Sequence, residues 1–431
     1  MSPTFASLSI RNYRVWALGA LISNVGTWMG RVSQDWVVLT ELTDHSASAL
    51  GIVTGLQFLP VLLLAPWSGA VTDQLPKRTL LMVTQTVLLL SALIGGVLVL
   101  TGTAQLWHFY ALALLTGVAT AFDNPARQTF VGEMVPSTRL PNAVALNSAS
   151  FNLGRLVGPA VAGVSIAAVG SGPTMLANAA TFAAVLLSLA ALRAADLTPA
   201  PRAARRGSIS EGLRYVRGRP DLQLVMLLIF VLGTFGMNFQ ITIALMATQV
   251  FDKGSQEYGL LGSVMAIGSL AAALLAARRS EPRLRVLLLA LLGFTVAAGA
   301  AALAPGYLAF AVALAACGLT ALTAMTTANA MVQMRTDPAM RGRVMALYMA
   351  IFFGGTPIGA PVVGWIGDVL GPRWTIGVGA IAIALTLAAV SVWLAHRENV
   401  SVSYESARRP RIVVTSTPVR RPTHTMPEAA R

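Results

Sequence analysis

Residues 136–163 read PSTRLPNAVALNSASFNLGRLVGPAVAG, and residues 338–364 read PAMRGRVMALYMAIFFGGTPIGAPVVG. Each stretch begins Pro-x-x-Arg, passes through Val and Ala-Leu, and ends in spaced glycines. Gly154, Gly158 and Gly163 correspond to Gly355, Gly359 and Gly364 at the same intervals. Asn124 and Asn329 sit at comparable points upstream. The chain therefore reads as one unit written twice.

The composition says where such a unit would live. Of 431 residues, 55% are hydrophobic and 11% charged, with a mean hydropathy of +0.68. Soluble domains average roughly 25% charged residues, so the chain reads as an all-α polytopic membrane protein. The net charge of +14 would suggest nucleic acid in a soluble protein. Here the arginines lie between apolar runs, so no nucleic-acid partner is expected. Arg11 and Arg14 precede a long apolar run without a small-residue cleavage site, which reads as a first span rather than a signal peptide. The single cysteine, Cys317, excludes an internal disulfide.

Apolar stretches near the ~20 residues a spanning helix needs occur at 15–40, 48–71, 79–101, 104–123, 143–168, 172–193, 222–248, 257–277, 284–303, 306–331, 343–367 and 374–395. With these twelve spans, 27 of the 31 lysines and arginines fall on one side, and only Lys253 and Arg373 on the other. Arg31 and Arg155 remain inside spans. The positive-inside rule then puts both termini in the cytoplasm. The chain divides into a six-helix half at 1–193, a basic linker at 194–221, a second half at 222–396 and a tail at 397–431. The linker carries a short amphipathic helix around Ser210–Arg217, expected to lie on anionic lipid headgroups. The Arg-, Pro- and Ser/Thr-rich tail is expected to be disordered. Duplicated halves are the architecture of alternating-access carriers, whose substrate site lies between them near the midplane.

Three stretches carry a family resemblance. GAVTDQLPKR (Gly69–Arg78), DNPARQTFVGEMVP (Asp123–Pro136) and GRLVGPAVAG (Gly154–Gly163) resemble the major facilitator superfamily, and more narrowly the efflux branch that includes the enterobactin exporter and bacterial drug exporters. The first resembles the superfamily's loop after span two, with Gln74 in place of the usual arginine and Pro76 in place of glycine. The resemblance runs to about His396 and implies two pseudo-symmetric six-helix halves. It also implies that Gly69, Asp73, Lys77 and Arg78 form a gating loop whose Asp73 latches the halves together on the inner side; the bland alternative is a solvated turn. The third stretch resembles the exporters' fifth-span motif, Gly154, Gly158, Pro159 and Gly163, which by itself is small-residue packing. Asp123-Asn124-Pro125, with Arg127 following, reads as the turn between spans four and five, Asn124 as helix cap and Pro125 at the first helical position.

The intramembrane ionisable residues are expected to be Arg31, Asp35 and Arg155, with Asp35 the only acid well within a span. A charge at mid-span costs ~3 kcal/mol unless it is paired or faces water. Arg31 and Asp35 are i, i+4 on one helix face, so the arginines are expected to offset Asp35 beside a central cavity. Asp35 is then a candidate for loading and releasing a proton; the alternative is a static salt bridge. Two arginines against one aspartate favour an anionic or mixed-charge substrate. Gln34 and Trp36 flank Asp35 and are assigned to the same cavity. Met325, Tyr348 and Phe352 belong to a Met- and aromatic-rich region of spans ten and eleven that suits a loose lipophilic site.

No G-x-x-x-x-G-K-[ST] phosphate loop is present, so secondary transport on an ion gradient is expected. No cofactor or metal is called for. The reading is a proton-coupled exporter of small drug- or siderophore-like molecules, acting as a monomer in the plasma membrane of a bacterium. Its rivals are an importer, a channel, a non-transporting receptor or scaffold, and a membrane enzyme; the last would need clustered acids or histidines at one membrane face, and none is apparent.

Overall fold

The computed structural model describes residues 3–198, 209–278, 281–397, 400–405 and 411–416. The linker segment 199–208 and the rest of the tail lie outside the described residues. A short 3-10 segment, Pro3–Ser9, leads into α1 (Arg11–Trp36), which closes in a π-type turn at Val37–Glu41. Then follow α2 (Ala47–Gln74), α3 (Lys77–Leu100), α4 (Leu106–Met134), α5 (Leu140–Val169) and α6 (Ser171–Ala190). The linker helix α7 (Ile209–Arg217) precedes α8 (Pro220–Val231) and α9 (Phe239–Leu245), which are joined by a π-type turn at Leu232–Gly236 and followed by another at Met246–Val250. The remaining helices are α10 (Ser255–Ala277), α11 (Leu284–Ala302), α12 (Tyr307–Arg335), α13 (Arg341–Gly354), α14 (Thr356–Leu370) and α15 (Trp374–Arg397).

Among the described residues, ten segments are long and apolar enough to cross a membrane. Helices α1 and α4, at 26 and 29 residues, are as long as the others but richer in polar and charged side chains than most of them. At 1.5 Å per residue they measure roughly 39 and 43 Å, more than the ~30 Å hydrocarbon core.

In the first part of the chain α1 packs on α5 and α6, α2 on α4, and α3 on α4 and α6; in the second, α12 packs on α10 and α11, and α11 on α15. The most extensive pairings between these groups are α2 with α14 and α5 with α10, and α2 also meets α13. The first two are lined by glycine. A Cβ on Gly163 would lie 2.5 Å from the Ser255 carbonyl oxygen, and one on Gly51 2.5 Å from that of Ala360. Gly259 abuts the Pro159 carbonyl and Gly364 that of Ala47. In lipid, association depends on such close approach because no apolar surface is being withdrawn from water.

Local details recur along with the glycines. α5 ends at Gly170 and α14 at Gly371, with φ of 87° and 99°, each seven residues after the last repeat glycine. That left-handed backbone lets a helix stop and the next begin at once. The π-type turns ending at Glu41 and Val250 are each followed by a left-handed non-glycine residue, His45 and Asp252.

The structure departs from the sequence expectation in three places. Asp123-Asn124-Pro125 is not a turn: α4 runs through Pro125 to Met134, and the chain reverses at Val135–Pro136. Proline inside a buried helix is tolerated where neighbouring helices compensate the lost bond. The linker helix α7 does not present only lipid-facing surface. Val216 is buried, Glu211 pairs with Arg343 at 3.1 Å, and the Tyr215 hydroxyl donates to Asp337 at 2.9 Å, so the helix is docked beneath α12 and α13. Within the tail, Val400–Glu405 (β1) pairs antiparallel with Arg411–Ser416 (β2), Val402 opposite Val414. The β-branched residues of RIVVTS favour an extended backbone.

The α2–α14 pairing carries a second device. The Asp368 carboxylate, on α14, accepts from the backbone N–H of Ala47 (2.6 Å) and Ser48 (2.9 Å) and from the Ser46 hydroxyl (3.3 Å). A side chain remote in sequence thus satisfies the orphan donors and positive dipole end of α2. Asp368→Ala is expected to destabilise the protein by about 1–2 kcal/mol, the usual worth of an N-terminal cap, with Asp368→Asn recovering most of the loss. Thermal unfolding of both variants in detergent checks this.

Candidate functional site

Helix α1 places Trp28, Arg31, Val32 and Asp35 at i, i+3, i+4 and i+7, on one face. That face lines a cavity of about 60 Å³, completed by Arg155 and Pro159 of α5, Phe239, Gln240 and Ile243 of α9, and Tyr258, Gly262 and Met265 of α10. Both parts of the chain therefore contribute walls. Gly154 and Gly158 bring α5 against α1, at Asn24 for the first and at Val25, Trp28 and Met29 for the second, which sets Arg155 beside Trp28.

The charges are not arranged as a salt bridge. Among the described residues no Arg31–Asp35 ion pair forms within 4.0 Å. Instead the Arg31 guanidinium lies 5.0 Å from the Trp28 ring centroid and 5.9 Å from that of Phe58, and Arg155 lies 5.8 Å from Trp28. Trp28 is thus flanked by two cations, each attracted to its ring. Asp35 is buried, and its carboxylate accepts a hydrogen bond of 3.3 Å from the Tyr258 hydroxyl. Trp36 stacks on Tyr258, ring centroids 6.1 Å apart. Asp35 is therefore tied to the second part of the chain through a tyrosine. Arg31, one turn away on the same helix, remains close enough to act on it through the low-dielectric interior.

Other residues assigned to a substrate cavity lie elsewhere. Met325, Tyr348, Phe352, Gln34 and Trp36 do not line this one, although Trp36 packs on Tyr258, which does. Tyr348 is buried with its hydroxyl on the Met325 carbonyl, and Phe352 packs on Phe353. A wider, open groove of about 920 Å³ between α11 and α12 is lined by alkyl side chains and glycine, with no polar group to orient a ligand.

The loop signature and the 123–136 stretch come together on α3 and α4. Lys77 pairs with Glu133 at 2.8 Å, both nearly sealed from solvent. Arg78 donates to the Leu189 and Ala190 carbonyls at the end of α6. Asp123 is buried inside α4, where it accepts from Thr84 (2.8 Å) and Gln85 (2.7 Å) and pairs with Arg127 (3.1 Å). Asp35 is therefore not alone as a buried acid. Gly69 and Asp73 occupy the last turns of α2, half-buried, and Asn124 and Pro125 lie within α4. The contacts of Lys77, Arg78 and Asp123 all stay within the first six long helices, and none reaches the second part of the chain.

Tyr258, Trp28, Gln240 and Phe239 were not singled out by sequence. Trp28 had a signal, since it precedes Arg31 by three residues. Tyr258 had none, because its partner is 223 positions away.

Comparison with known proteins places this geometry in context. The family described as "Transmembrane secretion effector" matches residues 2–419. The staphyloferrin A transporter of Staphylococcus aureus is 30% identical over 252 residues, 58% of this chain and 63% of its own length, so that match spans less than two thirds of the relative. The multidrug efflux pump Tap of Mycolicibacterium fortuitum is 29% identical, covering 87% of this chain and 93% of its own. Among solved structures, a bacterial homologue of the human lysosomal transporter Spinster, inward-facing and occupied, superposes with a TM-score of 0.70 at 14% identity, over 92% of this chain and 98% of that one. It shares the fold.

Removing one partner of a buried ion pair typically costs ~3–5 kcal/mol, whereas replacing both is often neutral. Lys77→Met is therefore expected to lower thermal stability in detergent sharply, and Lys77→Met with Glu133→Met to regain most of it. A double variant no more stable than the single would show that the pair does not act as a unit.

Proposed function

Because the chain belongs to the transmembrane secretion effector family of major facilitator superfamily transporters, and so to a transporter family rather than an enzyme family, we propose that it is a proton-coupled exporter of small lipophilic molecules. It works as a monomer in a bacterial plasma membrane, with both termini cytoplasmic. In this reading α1 and α4 join the ten apolar spans to make twelve, in two pseudo-symmetric halves at 1–193 and 222–396. The linker at 194–221 and the tail at 397–431 are cytoplasmic, and the basic residues of the linker helix that are not docked on the protein meet anionic headgroups. Matching helix ends at Gly170 and Gly371, and matching turns before His45 and Asp252, support the two halves. Export is favoured by the family description and by the efflux pump among the relatives.

One observation carries the mechanism: the Tyr258 hydroxyl bonds Asp35 across the two halves, inside the cavity both halves wall. A hydrogen bond to a charged group contributes about 1.5–3 kcal/mol, and one between neutral groups about 0.5–1.5. Protonating Asp35 therefore weakens the tie between the halves and leaves Arg31 and Arg155 uncompensated. Proton loading and domain movement are linked through one carboxylate, as antiport requires. The helix pairs α2–α14 and α5–α10 close one end of the bundle, while Asp73 and the Lys77–Arg78 loop lie at the other as the inner gate. The same pairs must part when the site faces the opposite side.

The test is proton release in energised inverted membrane vesicles, read by a luminal pH dye, during addition of lipophilic compounds. Wild type is expected to release protons on substrate addition. Asp35→Asn is expected to lose at least ~10-fold of that response at matched expression, as befits a functional intramembrane acid. Equal responses in both proteins would remove Asp35 from the coupling step.

A further inference from the structure

We propose that Arg31 and Arg155, both drawn to the Trp28 ring, form a seat for the carboxylate of an otherwise apolar monoanionic substrate. This names the substrate class of the exporter proposed above. It rests on that reading for transport but not for binding.

Elsewhere in this protein, arginines that brace the fold spend their donors on backbone. Arg78 donates to Leu189 and Ala190, and Arg373 to Ala302 and Ala304. Arg31 and Arg155 do not. Among the described residues neither guanidinium donates a hydrogen bond or forms an ion pair, although both line an interior cavity. Each guanidinium carries five N–H donors in a planar fork. The contacts with the Trp28 ring are not hydrogen bonds to an acceptor atom and leave those donors unspent. Both side chains are only partly buried, so these donors open onto the cavity, and the arrangement is suited to a ligand that supplies the acceptors. Planar forks match carboxylates in particular.

Charge and size narrow the class. With Asp35 ionised, two cations face one anion, and the surplus of one positive charge is neutralised by a monoanion. Asp35 offers little competition for the arginines, because its carboxylate is held toward Tyr258. A cavity of about 60 Å³ has room for a head group, given that a water molecule takes about 30 Å³. The rest of the molecule would meet Phe239, Ile243 and Met265, which supply apolar surface once the halves separate. A neutral or cationic analogue would leave both guanidiniums uncompensated.

Equilibrium dialysis of the purified full-length protein against naphthoate, naphthamide and naphthylmethylammonium tests this. The three share one ring system and differ only in the head group. Naphthoate is expected to bind at least about 10-fold more tightly than either analogue, the scale of hydrogen bonds to a charged group. Arg155→Gln is expected to erase that preference and Arg155→Lys to restore part of it. Equal binding of all three by wild type would overturn the seat without need of any variant. So would a preference left intact in a folded Arg155→Gln protein. The same compounds in energised inverted vesicles separate the two readings. Naphthoate bound but never accumulated would sink the exporter and leave the seat. Accumulation of the cation with no binding of naphthoate would do the reverse.

Discussion

The close approach of α2 to α14 and of α5 to α10 is the constraint on which the rest depends. Lipid tails are as apolar as leucine, so burying leucine between helices gains little, and association must come from packing and hydrogen bonds. At Gly51, Gly163, Gly259 and Gly364 a side chain would collide with a carbonyl of the facing helix. Those contacts hold the two parts of the chain together and so define the cavity between them. They also bring Asp368 onto the start of α2 and Tyr258 onto Asp35. Glycine-lined contacts of this kind carry little apolar side-chain surface, so little is uncovered when they part.

The buried charges fall into two kinds. Lys77 with Glu133, and Asp123 with Arg127, Thr84 and Gln85, meet their partners directly and brace α3 against α4. Arg31, Asp35 and Arg155 do not meet one another, although all three face one small space. A direct ion pair between Arg31 and Asp35 would have consumed both charges within α1. Keeping them apart, with Trp28 and Tyr258 as intermediaries, leaves the cavity polarised. The first arrangement braces neighbouring helices in the first part of the chain, and the second leaves chemistry available where the two parts meet.

Much of the scaffold was legible in the residues. The repeated glycines mark the helices that touch, and Gly154 and Gly158 do set Arg155 beside α1. Spacing alone placed Arg31 and Asp35 on one face, and it would have added Trp28 had the face been followed one turn back. Asp123 was misread because Asn-Pro is a strong turn signal locally, whereas packing on α3 carries α4 through Pro125. Met325, Tyr348 and Phe352 were assigned to a cavity by their chemistry, yet their surroundings are ordinary packing. Composition cannot distinguish a side chain facing a cavity from one facing a neighbouring helix.

The sequence by itself determined that this is a polytopic helical chain built from a repeated unit, with three ionisable residues inside its first and fifth spans. Those facts follow from hydropathy, charge placement and spacing, which act along the chain. Only the tertiary structure decided what the charges face. Tyr258 reaches Asp35, Arg155 reaches Trp28 and Asp368 caps α2 because helices distant in sequence pack at their glycines. No periodicity within one helix records which face of another it will meet.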